Sequence, residues 1–360
     1  MFSSDELCSL RWDPVSKGVE VIDQTFLPHA LRWCRLDSLS AFCRAISTMQ
    51  VRGAPLIGIT AAFGLANAIA EDASSENLLN ASAALLATRP TAVNLRWALD
   101  QITRAVQSLE PSQRALVALK KALALREEDI VKCERIGANG LQLLSALNKD
   151  RLNIMTHCNA GWLATVQWGT ALAPIYKAHA EGMAVHVWVS ETRPRNQGTN
   201  LTAWELHRAG VPFTIVTDNS CGQLIRQGNV DCVIVGSDRT AANGDVCNKV
   251  GTYLKALAAR ASDIPFYVAL PESTIDRTCV SGEHITIEER NQSEVLSIGG
   301  LDIAGNYREV KLADAHSKAI NPAFDVTPAC LVASLITEHG NFDASEKGLQ
   351  QLGAIGSDGH

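Results

Sequence analysis

From Leu152 onward, short apolar runs alternate with amphipathic helical stretches, and this texture restricts the fold more than any other feature of the chain. Candidate strands lie at 152–157, 184–190, 213–218, 231–236 and 265–270; helices are expected to begin near Ala160, Thr199, Cys221, Asn248 and Thr327. A helix between successive strands is the crossover that parallel pairing requires. The expected class is therefore α/β: a C-terminal Rossmann-like, doubly wound parallel sheet with its site at the carboxyl ends of the strands.

The first part of the chain has a different period. Residues 8–36 hold short Trp- and β-branched-rich pieces around a turn and read as a small β-sheet. Beyond them apolar residues recur at helical spacing. Asp37-Ser38 can cap a helix running to Met49, and Pro55 suits the first turn of an Ala/Gly-rich helix to about Ala70. Further helices are expected at 77–87, 92–109 and 112–147, with a break in the last. Three parts result: a mainly helical N-terminal domain with a small β-sheet (1–148), the Rossmann-like catalytic domain (149–342), and a loosely held tail (343–360).

Composition narrows the partners. A net charge of −6 over 360 residues gives no overall basic surface, so no nucleic-acid partner is expected. The first fifteen residues carry Asp5, Glu6 and Asp13 without a signal-like apolar core, and no run is read as reaching the ~18 residues of a membrane span. A cytoplasmic protein with no membrane partner is expected. The ten cysteines form no C-x-x-C pair, and Cys34, Cys133, Cys232 and Cys330 fall in apolar runs, as small buried hydrophobes do in a reducing compartment. No metal site is expected.

Chemistry concentrates in four loops that follow candidate strands: 156–161 with His157-Cys158-Asn159, 191–198 ending Gln197-Gly198, 217–222, and 236–252. In the last, an apolar run stops at Asp238 and a Gly/Asn turn leads to Asn248-Lys249, read as a helix start fit to hold an anion. Asp238 could cap its turn or pair with Arg239; buried among apolar neighbours it would keep its proton and serve as a general acid. Cys158 reads either as a structural thiol or, before a helix N-terminus, as a reactive one. His157 should point to the opposite face and is read as a hydrogen-bonded histidine. The helical half adds Arg52, in Val51-Arg52-Gly53-Ala54-Pro55, and Arg89, in Thr88-Arg89-Pro90-Thr91; arginine grips phosphate oxygens bidentately and glycine lets a backbone N–H approach. Trp162 and Trp204 read as core in preference to pocket wall.

Taken together, Asp23-Gln24-Thr25, 51–59, 89–95, 157–161, 191–194, 201–206, 236–253, 265–269, 287–290 and 321–328 closely resemble, in order, the methylthioribose-1-phosphate isomerases of methionine salvage. That group shares a wider family with ribose-1,5-bisphosphate and 5-deoxyribose-1-phosphate isomerases and with regulatory subunits of the eukaryotic translation-initiation exchange factor. The resemblance implies an aldose-ketose isomerase acting on a small-molecule sugar phosphate without metal or organic cofactor, as a homodimer. It implies catalytic roles for Cys158 and Asp238, and substrate contacts from Arg52, Gly53, Ala54, Arg89, Gln197, Asn248 and Lys249. Ser190, Arg195-Asn196, Asn200, Ser237, Thr240 and Cys247 depart from the family pattern and bear on which C5 substituent the pocket prefers. The alternatives are isomerisation of 5-deoxyribose 1-phosphate or another ribose 1-phosphate, and a non-catalytic sugar-phosphate sensor.

Overall fold

The computed structural model describes residues 7–357 apart from Thr91; Asp5, Glu6, Thr91 and the last three residues of the tail lie outside the described residues. Strands β1 (Leu10–Asp13), β2 (Gly18–Ile22) and β3 (Trp33–Leu36) form an antiparallel sheet in the order of the chain. Helices α1 (Leu39–Ser47), α2 (Ala54–Glu71), α3 (Ser75–Thr88), α4 (Val93–Val106) and α5 (Pro111–Ala146) follow. Ser38 caps α1 by accepting from Ala41 N, so the expected cap is in place. The break expected in the last helix is absent: α5 runs unbroken for 36 residues.

Helix α2 is the axis of this half, packed against α1, α3, α4 and α5. Its residues are apolar nearly all round because neighbours cover nearly all of it. It is the correction to the reading of the hydropathy: α2 is long and apolar enough to cross a membrane, yet 83% of that window is buried inside the protein. Small residues such as Gly64, against Phe42 and Leu85, let the helices approach closely.

The second half is built on β4 (Leu152–Thr156), α6 (Ala173–Ala180), β5 (Val185–Ser190), α7 (Ala203–Arg208), β6 (Phe213–Val216), α8 (Cys221–Arg226) and β7 (Cys232–Val235). Then come β8 (Arg239–Ala241), β9 (Val246–Lys249), α9 (Thr252–Ala261), β10 (Phe266–Ala269) and β11 (Ile275–Asp276). The chain closes with α10 (Ser293–Leu296), β12 (Ser297–Leu301), β13 (Tyr307–Lys311), β14 (Phe324–Thr327), β15 (Ser334–Thr337), β16 (Gly340–Phe342) and α11 (Glu346–Ser357). The main sheet has the order β16-β15-β10-β7-β4-β5-β6, parallel except for the edge strand β16. Its two faces carry separate apolar clusters, one around Ile154, Val187 and Tyr176, the other around Val233, Val268 and Ala256. From β4 the chain winds outward through β5 and β6, then returns to place β7 on the other side of β4. The crevice beyond β4 and β7 is thus the topological switch point, where α/β sheets of this kind bind ligands.

A smaller sheet, β11-β8-β9-β14, stands beyond that edge. It overturns two expected helix starts. Asn248-Lys249 ends β9, paired antiparallel with β14 so that Asn248 faces Asp325 and Lys249 faces Phe324; α9 begins only at Thr252, after Gly251 at φ 100°. Thr327 ends β14 for the same reason: its neighbours satisfy their backbone groups across the sheet. The helix expected near Ala160 is also absent; a buried irregular segment with one short 3-10 turn at Trp162–Ala164 leads instead to α6. The tail expected to be loosely held forms α11, which buries Leu349 and Leu352 against the sheet cluster. Cys133 and Cys232 are buried as expected, Cys34 is half-buried, and Cys330 is exposed.

Candidate active site

The switch point brings the loops after β4 and β7 together with the N-terminus of α2. Arg52, Gly53, Ala54, Arg89, Cys158, Gln197, Asp238 and Lys249 line one pocket, with Met49, Ile57, Ala92, Ile285, Arg290 and Phe324. Asn248 opens onto the contiguous cavity beneath it, shared with Arg52, Cys158 and Asp238. All nine residues singled out in the sequence therefore converge, from segments nearly two hundred positions apart.

Cys158 is 92% buried and sits at φ 63°, a left-handed conformation that a non-glycine residue adopts rarely and at a cost of about 1–3 kcal/mol. Its backbone is pinned from both sides: Cys158 N donates to Thr192 Oγ1 at 2.8 Å, and Thr202 Oγ1 donates to Cys158 O at 2.6 Å. The helix N-terminus expected to follow this thiol is not there, so the setting of Cys158 comes from the loop and the cations around it. Thr192 is itself left-handed, and its N–H and that of Arg193 donate to Asp218 at 2.9 and 2.7 Å. Ser190, one of the departures from the family pattern, also donates to Asp218 and so helps hold this loop. Burial, reinforced by Lys255, pulls the neighbouring His157 imidazole down to about 3, so His157 is neutral; it bonds Val250 O at 2.8 Å.

Asp238 follows β7 and is half-buried, so the condition of burial among apolar neighbours is met only in part; its N–H donates to Cys247 O at 3.0 Å. Arg239 turns away to Asp276, with Nε 2.9 Å from Oδ2, so the alternative pairing of Asp238 with its neighbour is not formed. The loop reaches the crevice because Gly236 passes close to Ala160, where a Cβ would lie 2.8 Å from another.

Five cationic residues line the pocket with these two: Arg239, held by Asp276, and four more. Arg52 donates from Nη2 to Asn159 O at 2.7 Å and from Nη1 to Asn159 Oδ1. Arg89 and Arg290 share Glu288: Arg89 Nη2 lies 3.1 Å from one carboxylate oxygen and Arg290 Nε 3.0 Å from the other. Burial raises the Glu288 carboxyl, but the two arginines outweigh it and hold it below its ordinary range. Lys249 is 95% buried, donates to Ala323 O at 2.7 Å and lies over the Phe324 ring. Burial pulls its ammonium down to about 8, against the attraction of Cys158 and Asp238. Gly53, at φ 93°, caps α2 with its backbone close against Ala164, and Gly53 and Ala54 line the pocket, so the N-terminal end of this eighteen-residue helix borders it.

Sequence reasoning missed Arg290, Glu288 and the apolar wall of Met49, Ile57, Ala92, Ile285 and Phe324. The signals were the matching stretches 51–59, 89–95, 287–290 and 321–328, which hold Ile57, Ala92, Glu288, Arg290 and Phe324; by itself Glu288-Glu289-Arg290 reads as a solvated charged run. Arg195 and Asn200 line a polar vestibule beside the pocket instead of the pocket itself, and Arg195 pairs with Glu294 at 2.8 Å. Trp162 is fully buried against Trp204, so the pair is core as expected.

Fold and site together define an α/β protein whose switch-point crevice, closed by a helical half, gathers cationic side chains beside a thiol and a carboxyl group. The chain belongs to the Initiation factor 2 subunit family, whose profile matches residues 50–344. It is 54% identical over 347 residues to the methylthioribose-1-phosphate isomerase of Dechloromonas aromatica, with 96% of each chain covered. To that of Gluconobacter oxydans it is 52% identical over 349 residues, with 95% of each covered. Among solved structures it resembles 5-methylthioribose 1-phosphate isomerase from Pyrococcus horikoshii OT3, with a TM-score of 0.85, 35% identity, and 98% and 97% of the two chains covered. It also resembles translation initiation factor eIF-2B, subunit delta, from A. fulgidus, with a TM-score of 0.79, 36% identity and 96% and 100% coverage.

Proposed function

We propose that this protein isomerises 5-methylthioribose 1-phosphate to 5-methylthioribulose 1-phosphate. The observation that carries the reading is the meeting of Cys158 and Asp238 at the switch point inside a ring of Arg52, Arg89, Lys249 and Arg290. The similar isomerases, matched over nearly the whole chain, support it.

The chemistry follows from the substrate. A ribose 1-phosphate has its anomeric oxygen esterified, so the ring cannot open as a free sugar does. In our reading the cations and the α2 N–H groups hold the phosphate dianion and fix C1 and C2. Asp238 gives a proton to the ring oxygen as the C1–O bond breaks, leaving C1 as an oxocarbenium that still carries the phosphate. The hydrogen on C2 then moves to C1 and the proton on O2 returns to the Asp238 carboxylate, giving a C2 ketone, an unchanged atom count and a restored acid. Two routes satisfy that balance: Cys158 removes the C2 proton and returns it to C1, or the hydrogen migrates as hydride while the thiol supports the developing charge.

The apolar wall supports a thioether at C5 over a second phosphate, which would need cations there. A sensor would need the phosphate clamp but neither Cys158 nor Asp238, so their presence in one pocket favours an enzyme. We further propose a cytoplasmic homodimer; the exposed Tyr253, Leu254 and Leu257 on α9 supply an apolar surface for it. The test of the substrate is kcat/KM for 5-methylthioribose 1-phosphate, 5-deoxyribose 1-phosphate and ribose 1,5-bisphosphate. The thioether compound should lead the deoxy sugar by about 10- to 100-fold, the range that small apolar differences give, and the bisphosphate by more. A preference for the bisphosphate would overturn the reading.

A further inference from the structure

Glu205, on α7, lines neither the pocket nor the cavity beneath it and is fully buried, yet it forms no ion pair with lysine or arginine among the described residues. A buried carboxylate without a cation is costly unless every acceptor position is used. Here they are used. Oε1 accepts from Asn159 Nδ2 at 2.7 Å and Leu163 N at 3.1 Å; Oε2 accepts from Trp162 N and Tyr176 Oη, both at 2.8 Å. Three of these donors belong to the irregular segment that follows Cys158, where a helix would otherwise satisfy the backbone. Gly161 makes room for it, since a Cβ there would overlap Glu205 Oε2.

The same contacts lead to the pocket. Asn159 has its amide N–H₂ committed to Glu205 and to Thr202, at 2.7 and 3.2 Å, so its Oδ1 is turned the other way. That oxygen and the Asn159 carbonyl both accept from Arg52. An Asn side chain free to flip would offer Arg52 a donor in place of an acceptor.

We infer that Glu205 is a positioning residue: its carboxylate fixes the orientation of Asn159, which in turn holds the Arg52 guanidinium over the phosphate subsite. The inference rests on the reading of Arg52 as a phosphate contact. Burial raises the Glu205 carboxyl to about 7, against the lowering effect of its four donors. In Glu205→Gln an amide N–H₂ replaces one acceptor oxygen; the Tyr176 hydroxyl can turn to accept from it, but at least one backbone N–H, that of Trp162 or of Leu163, is left facing a donor.

The test is a double-mutant cycle on the full-length protein, with the Kd for inorganic phosphate read by calorimetry. Circular dichroism checks folding. Glu205→Gln and Arg52→Ala should each weaken phosphate binding, the first by about 10-fold as expected for a displaced charge-assisted contact. The two together should be no weaker than Arg52→Ala alone, because Glu205 acts through Arg52. An equal loss from Glu205→Gln in the Arg52→Ala background would make Glu205 merely structural and overturn the proposal, as would an unchanged Kd in the folded Glu205→Gln protein. If Arg52→Ala alone leaves Kd unchanged, the phosphate assignment of Arg52 fails first and the proposal falls with it. Should Glu205→Gln not fold, Asn159→Ala enters the cycle in its place. It leaves Glu205 three donors and removes the side-chain bonds from Asn159 to Arg52 and Thr202 while the Asn159 carbonyl still accepts from Arg52, and an unchanged Kd there overturns the proposal.

Discussion

At the scale of single residues, the chemistry-bearing types were legible and their surroundings were not. Cys158 and Asp238 stand out because each ends an apolar run, and any parallel sheet brings such ends to one edge. What the sequence could not supply was the local backbone. Cys158 was expected before a helix N-terminus, yet it stands in a left-handed conformation held by Thr192 and Thr202, residues from another strand end and another helix. Lys249 shows the same gap: its burial depends on β14, which pairs with it from 75 positions away. That burial has a measurable consequence. With its ammonium pulled down to about 8, Lys249 is charged below that pH and loses its charge as pH rises through it. The Kd for inorganic phosphate should therefore increase as pH rises above about 8, and in Lys249→Met the overall affinity should be lower and this alkaline decline absent. A flat Kd from neutrality to pH 9.5 in the wild type would remove Lys249 from the anion site.

Elements with a clear period were readable. The core strands of the main sheet and helices α2 to α5 lie where their apolar spacing puts them. The elements around the pocket were harder, because their hydrogen bonds are made to distant partners instead of within the segment. Residues 246–249 are too short to carry a period, and the buried stretch after Cys158 satisfies its N–H groups through the Glu205 and Asp129 carboxylates. Helix α11 escaped notice because a few glycines obscured an amphipathic pattern that buries Leu349 and Leu352. The junction of Gly53 with α2 borders the proposed phosphate subsite. Gly53→Ala would force a Cβ to 2.5 Å from Ala164 O at φ 93°. We expect a loss of about 1–3 kcal/mol or more in unfolding free energy, together with weaker phosphate binding as the helix end shifts. Urea denaturation measures the first, and an unchanged midpoint would show that the junction is not strained as described.

On the scale of the whole molecule, a helical half organised around a buried axis covers the switch point of a doubly wound sheet, and each half contributes what the other lacks. The sheet brings the thiol and the carboxyl group; the helices bring Arg52, Arg89 and the free amides of α2. The proposed reaction draws on both sets, and the small β8–β9 sheet with β14 carries Asn248 and Lys249 to the pocket and the cavity beneath it. The class of fold could be read from the alternation after Leu152, whereas the closure depends on register between strands that share no local signal. The most direct test of this account is the conversion of 5-methylthioribose 1-phosphate to its ketose followed by NMR. It would use the wild type, Asp238→Asn and Cys158→Ser, with phosphate binding checked in each. The wild type should convert the substrate fully to equilibrium, while both variants bind phosphate normally and turn over at least about 10²-fold more slowly. Conversion by Asp238→Asn and Cys158→Ser at the wild-type rate, or none by the wild type itself, would contradict it.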